Sequence, residues 1–284
     1  EGLAKGKALD IAQATSPEGS HTLIKASNNY KDIADSDVVV ITAGVPRKPG
    51  MSRDDLLLIN AKIVKEIVEQ IKENAPEAIL ITVTNPLDAT TYTAIKVGNY
   101  PRNQVIGMAG ILDSSRMETL ISGKLGFGHG QVTASVMGGH GDDMVPLPRY
   151  SSVNGVALTD LLNDLEIEEI IEKTRHGGAE IVGYMGTSAY YAPANSTVKM
   201  IEAILGDKHA IFPCATLLEG EYGYSDTVNG VPVILGANGI EKIVELPLNL
   251  TEQRLFANSV NSVNSLLDTL NKNNFFEEKV DEGN

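Results

Sequence analysis

The chain has no tryptophan, a single cysteine among 284 residues and no apolar run long enough to span a bilayer. Cys214 alone cannot close an intrachain disulfide, which fits a reducing compartment, and a cytoplasmic location is the expectation. Basic residues are also scarce, with 23 Lys and Arg against 37 Asp and Glu, a net charge of −14. Such a field repels nucleic acid and acidic membrane surfaces, so neither is an expected partner. Any anionic ligand must then be gathered by local arginines against the field of the whole protein. No HExxH motif or Cys/His ligand spacing occurs, so no metal site is expected. Internal repeats and low-complexity segments are missing as well. The chain opens with Glu1-Gly2-Leu3-Ala4, without a Met or a leader, and reads as one entered in mid-domain.

What is present is an ordinary globular composition, 42% hydrophobic and 21% charged, in a chain long enough for two parts. Residues 3–15 read as a helix and Thr22–Lys25 as a short strand. Asp37–Thr42 holds a stronger strand, Val38-Val39-Val40-Ile41. Leu56, Ile59, Ile63, Ile67 and Ile71 recur at helical spacing and predict the buried stripe of a helix over 54–73. Ala78–Thr84 is an apolar strand ending at Asn85-Pro86, after which a helix runs to Val97, followed by a strand at 105–107. This alternation predicts an open parallel sheet with helices on both faces. From Gly110 the texture changes. A helix at 112–125 and a strand at 131–137 precede Gly138-Gly139-His140-Gly141, and an Asn154-Gly155 turn joins antiparallel strands. Helices at 166–185 (with Gly177-Gly178 inside) and 194–205, strands at 228–235 and 243–248, and an amphipathic helix at 251–270 complete the reading. Phe256, Val260, Val263, Leu267 and Leu270 form the stripe of that last helix.

Four polar groups lie at strand ends or beside glycines, where open α/β folds place ligands. The loop from Gly44 to Arg53 carries two prolines, two glycines and two arginines, Arg47 and Arg53. It is either a solvated turn or a cover over an anion. His140 alone of five histidines follows an apolar strand with Gly on both sides; it is either a satisfied turn histidine or a reactive one. Asp113 and Arg116 share a helix face three residues apart, which equally suits a helix-start acid beside a surface cation. Asn85, closing a buried strand, is by itself most simply a turn or capping residue.

The ordered stretches ITAGVPRKPGMSRDDLL, TNPLD, GMAGILDSSR, GGHGDDMVP, GTSAYYAPA, EGEYG and GVPVILGANG cover nearly the whole chain. Together they resemble the lactate and malate dehydrogenase superfamily, and within it the malate dehydrogenases of the lactate-dehydrogenase-like type. The resemblance implies a Rossmann-type doubly wound parallel sheet over residues 1–109, N-terminally incomplete, followed by an α+β substrate domain over 110–284. It implies an oxidoreductase of the tricarboxylic acid cycle that moves hydride between malate and NAD. His140 would be the general acid/base, Asp113 its partner, and Arg53 would polarise the reacting oxygen. Arg116 would clamp the C1 carboxylate, Asn85 would contact the reacting oxygen, and Ser188 and Ala189 would line the substrate site. Arg47 would pair with the second carboxylate of a dicarboxylate, where pyruvate-reducing members usually carry Gln. Gly44, Asn60, Val83, Asn85 and Pro193 would contact the cofactor; for Val83 and Pro193, plain core packing is the alternative. A homo-oligomer, tetramer or dimer, is the family expectation.

The phosphate-binding G-x-G-x-x-G of dinucleotide folds does not occur in the sequence. In the family it precedes the segment matching Glu1, so roughly 30 residues, about one βαβ unit's worth, are expected upstream. Two other readings stay open on the sequence: a lactate or other 2-hydroxyacid dehydrogenase, and a nonenzymatic scaffold that keeps the fold.

Overall fold

The computed structural model describes residues 2–46 and 50–277. Helix α1 (Gly2–Thr15) is followed by strand β1 (Val38–Ile41), α2 (Arg53–Asn74), β2 (Ile79–Thr82), α3 (Leu87–Gly98) and β3 (Val105–Gly107). Next come α4 (Gly110–Leu125) and five two-residue strands: β4 (Val132–Thr133), β5 (Val136–Met137), β6 (Val145–Pro146), β7 (Ser152–Val153) and β8 (Val156–Ala157). The chain continues through the short α5 (Leu158–Leu161), α6 (Asp164–Met185), α7 (Tyr191–Leu205), β9 (Ala210–Glu219), β10 (Ser225–Gly236), β11 (Gly239–Ile243) and α8 (Leu250–Lys272).

The main sheet has the order β1-β2-β3-β9-β10-β11. Only its first three strands are parallel; β9 joins β3 antiparallel, and β9-β10-β11 form an antiparallel meander. The expected open parallel sheet is therefore a mixed one, and it runs past residue 110 into the second half of the chain. Core lies on both faces. Val39, Leu80 and Val105 pack with α2 and α3, while Val38, Val40, Ile81 and Ile106 pack with Met200, Val231 and Phe256 on the other side. Helix α8 serves both layers. Phe256 and Val260 enter one and Val263, Leu267 and Leu270 the other, each such side chain stabilising by roughly 1.5–3 kcal/mol.

Several expectations need correction. The buried face of α2 is Leu57, Asn60, Ala61, Val64, Val68 and Ile71; Leu56, Ile63 and Ile67 are half-buried and Ile59 is exposed. Two apolar stripes run along this helix. The stripe through Leu57, Ala61, Val64 and Val68 is core, and of the predicted stripe Ile71 is buried and Ile67 packs against the core. Thr22–Lys25 makes no strand pairing among the described residues, and β1 is an edge strand. The strand expected at 131–137 is split into β4 and β5, and the strand at 243–248 ends at Ile243. Strand β9 forms against its sequence signal, since Pro213 argues against a strand interior; it faces Pro232 across the pair. The Asn154-Gly155 turn is present, with both residues at positive φ (48° and 87°), as a two-residue hairpin turn between β7 and β8 requires.

Candidate active site

Parallel pairing of β1, β2 and β3 brings their carboxyl ends to one edge of the sheet. Gly44 follows β1, Asn85 follows β2, and α4 with Asp113 and Arg116 follows β3. The segment after β5 completes the group. There Gly138 exchanges backbone hydrogen bonds with Gly230 of β10, at 2.8 and 3.1 Å. Gly139 N donates to Ser259 Oγ of α8 at 2.7 Å.

His140 comes to rest against two carboxylates. Its Nδ1 lies 2.8 Å from Asp113 Oδ2, and its backbone N donates to Asp88 Oδ2 at 2.9 Å. The His140 side chain is 13% exposed and that of Asp113 only 2%. With Nδ1 turned to a carboxylate, Nε2 is left for a ligand. Burial pulls the imidazole toward its neutral form, but the charge of Asp113 and its hydrogen bond prevail, so the pKa of His140 is raised above its usual value. Arg116 works against this shift and Asp88 adds to it.

Arg116 Nη1 donates to Asp113 Oδ1 at 2.7 Å. Asp113 thus holds the imidazole with one oxygen and the guanidinium with the other. Arg116 Nε is buried without a partner among the described residues, so the cation has a donor to spare. Its position explains the paired glycines inside α6. A Cβ on Gly178 would stand 3.3 Å from Arg116 Nη2, and one on Gly177 3.4 Å from Cδ. Gly costs helix stability at an interior position, and here it lets the helix lie against the guanidinium.

The remaining expected residues make no hydrogen bond or ion pair with this group among the described residues. Arg53 opens α2 on the exposed side and makes no ion pair among the described residues; Arg47 lies outside the described residues. Asn85 is exposed, and its carbonyl accepts from Asn60 Nδ2 at 2.7 Å. Asn60, expected at the cofactor, is only 2% exposed and spends its amide on the chain itself. Besides Asn85 O it bonds Val45 N at 2.8 Å and Val45 O at 3.1 Å, tying the ends of two loops together. Val83 is half-buried. Ser188 (exposed) and Ala189 (half-buried) lie on the connection between α6 and α7, both of which pack on α4. Pro193 is in the first turn of α7, its carbonyl capped by Thr197 Oγ1 at 2.9 Å.

Sequence reasoning passes over Asp88, although a signal is there. Ten of the twelve residues of α3 are buried, and Asp88 is the one acid among them. It is 4% exposed, and its Oδ1 has no hydrogen-bond partner among the described residues. One further titratable group stands elsewhere: Asp207, His209 and Glu241 bring possible ligand atoms within 4.8 Å of one another. The imidazole there has a different carboxylate at each nitrogen, Glu241 at 2.6 Å and Asp207 at 3.5 Å. That is the geometry of an ion-paired brace. No helix among the described residues is long and apolar enough to cross a membrane.

Residues 1–107 match the family model described as lactate/malate dehydrogenase, NAD binding domain, and residues 111–276 match its alpha/beta C-terminal domain. The malate dehydrogenase of Sulfurimonas denitrificans is 59% identical over 276 residues, spanning 97% of this chain and 86% of that protein. The malate dehydrogenase structure from Aeropyrum pernix superposes with a TM-score of 0.90 at 46% identity, covering 94% of this chain and 86% of that one. A lactate dehydrogenase from Cryptosporidium parvum, solved with lactic acid and nicotinamide adenine dinucleotide, has a TM-score of 0.91 at 42% identity, covering 95% and 87%.

Proposed function

This chain belongs to the lactate/malate dehydrogenase family, and from that premise we propose that it interconverts malate and oxaloacetate with NAD. The observation that carries the reading is the joint hold of Asp113 on His140 and Arg116. It supplies one proton-transfer group and one carboxylate clamp with a fixed spacing between them. In malate oxidation, neutral His140 Nε2 takes the hydroxyl proton, and Asp113 stabilises the imidazolium that results. Arg116 holds the C1 carboxylate, which fixes C2 and its oxygen opposite the imidazole. Arg53, at the start of α2, polarises the C2 oxygen when the preceding loop covers the site, and the cover excludes water. In the reverse direction His140 must begin protonated. Its raised pKa therefore favours oxaloacetate reduction at neutral pH, while malate oxidation quickens as pH rises through that pKa.

The carboxyl ends of β1 and β2 suit a nucleotide cofactor. Gly44 passes so close to Thr84 and Asn60 that a Cβ would lie 2.8 Å from Thr84 Cγ2 and 3.1 Å from Asn60 Oδ1. Gly44, Val83, Asn85 and Pro193 would hold the nicotinamide end, with Asn60 bracing the crevice from beneath. When bound, NAD supplies the hydride acceptor. Choice of substrate rests on Arg47, a cation able to pair with a second carboxylate and left unpaired over the methyl group of pyruvate. Given that a lactate dehydrogenase superposes as well as a malate dehydrogenase does, the shared fold does not make that choice.

We also infer a homo-oligomer, tetramer or dimer, seated on the outer stripe of α2, where Ile59 is 39% exposed. A cytoplasmic location accords with the lone, buried thiol of Cys214. The test of function is NADH oxidation by the purified protein with oxaloacetate, with pyruvate and NADPH in parallel. Oxaloacetate should exceed pyruvate in kcat/KM by at least about a hundredfold. Equal efficiencies would transfer the chain to the 2-hydroxyacid dehydrogenases of broader range, and no turnover of either would favour a scaffold.

A further inference from the structure

His140 is gripped at two places, and only the grip on its ring takes part in the proton transfer. The other is at its backbone. Two successive amides, Gly139 N and His140 N, are each met by a side chain from a different helix. Ser259 of α8 takes the first, and Asp88 of α3 takes the second. A neutral acceptor satisfies Gly139. At His140 the acceptor is a carboxylate, 4% exposed, with its second oxygen buried and unbonded among the described residues. If anchoring the backbone were the whole task, an uncharged acceptor would do it without the cost of burying a charge.

We propose that Asp88 is a positioning residue that fixes the His140 backbone and supplies a second negative charge to the imidazolium. The groups that face His140 are few. Asp113 and Arg116 come from α4, Asp88 comes from α3, and α8 contributes the uncharged Ser259. The two carboxylates flank the histidine from its ring side and its backbone side, and Arg116 opposes both. Asp113 is the larger support of the imidazolium; Asp88 adds to it against the opposing charge of Arg116. Burial, the leading cause, pushes the pKa of Asp88 up to about 6, against the hydrogen bond from His140 that lowers it. The carboxylate supports the imidazolium while it is charged, and that support is withdrawn as the medium becomes more acidic.

This inference rests on the reading of His140 as the acid/base, so its test reads the imidazole directly. Proton NMR of the ring protons follows the five histidines through a pH titration, and the signal missing from His140→Asn identifies His140. In Asp88→Asn the hydrogen-bond acceptor stays and the charge goes. The His140 midpoint should fall by about half a unit or more, and the pH midpoint of kcat/KM for oxaloacetate should fall with it. NADH binding, measured in parallel, reports whether the cofactor site is still formed in the variant. An unchanged NMR midpoint in a folded Asp88→Asn protein overturns the proposal, whether or not the parent protein reduces oxaloacetate. A lowered midpoint without oxaloacetate turnover in the parent keeps Asp88 in its place and removes the proposed activity instead. Should Asp88→Asn not fold, Asp88→Ser, a smaller uncharged acceptor, is read by the same two midpoints.

Discussion

Arg116 and Arg53 are both guanidiniums assigned to one small ligand, and they live in different surroundings. Arg116 lies against α6, bonded to a buried carboxylate, on a helix that packs on the sheet. Arg53 stands at the first position of α2, exposed and unpaired among the described residues. The same division runs through the whole site. His140, Asp113, Asp88 and Arg116 form a buried or half-buried group; Gly44, Asn85 and Ser188 on loops and Arg53 at a helix start form an exposed one. A buried half can be held within tenths of an ångström by packing and paired charge, as proton transfer requires. An exposed half can move and can differ between relatives without disturbing the core. On the proposed roles, proton transfer falls to the half that packing protects.

Breaking the buried half should have the largest effect. His140→Asn retains a polar side chain of similar reach and removes the group that exchanges the proton. Turnover with oxaloacetate should fall by about 10²–10⁴-fold, while NADH binding, followed by its fluorescence, stays near that of the parent. A loss under tenfold would take His140 out of its role and put the comparison in doubt.

Changing the residue proposed to choose the substrate, which lies outside the described residues, should redirect the enzyme and leave it active. Arg47→Gln removes the cation proposed for the second carboxylate. The ratio of kcat/KM for oxaloacetate over pyruvate should drop by about 10²–10³-fold, the range expected when a charge-assisted pair is lost and the penalty against a methyl group is lifted. Part of that drop should be a real gain with pyruvate. If the ratio holds, Arg47 does not choose the substrate.

The same division governs how much of the site is legible in the amino-acid sequence. His140, Asp113 and Arg116 are legible because each sits in a short motif at a strand end, where residue type and position reinforce one another. The pairing of Asp113 with His140, 27 residues apart, is legible only through the family resemblance, and the bond from Arg116 to the same carboxylate is not legible at all. Asp88 is hidden for a related reason: its partner, the amide of His140, is 52 residues away. Periodicity finds α2 and selects the wrong face, because consecutive Leu56, Leu57, Leu58 and Ile59 offer two apolar stripes and only the neighbour decides between them. In strand β9 Pro213 argues against a strand interior, and long pairing with β10 overrides it.

The smallest effect should come from the brace beneath the exposed half. Among the described residues, Asn60 is the side chain that bonds both the loop after β1 and the end of β2, through Val45 and Asn85. It is buried, so Asn60→Ala leaves two backbone carbonyls and one amide without their partner. The protein should lose about 1–3 kcal/mol of stability, measured by urea unfolding. The His140 cluster shares no hydrogen bond with Asn60 among the described residues, so the pH midpoint of the reaction should not move. What should change is the entry of ligands: KM for oxaloacetate and for NADH should rise several-fold, roughly the 0.5–1.5 kcal/mol of one net hydrogen bond, with kcat reduced far less. A shifted pH midpoint in this variant would mean that the exposed loops help hold the imidazole, and the two halves would then have to be treated as one.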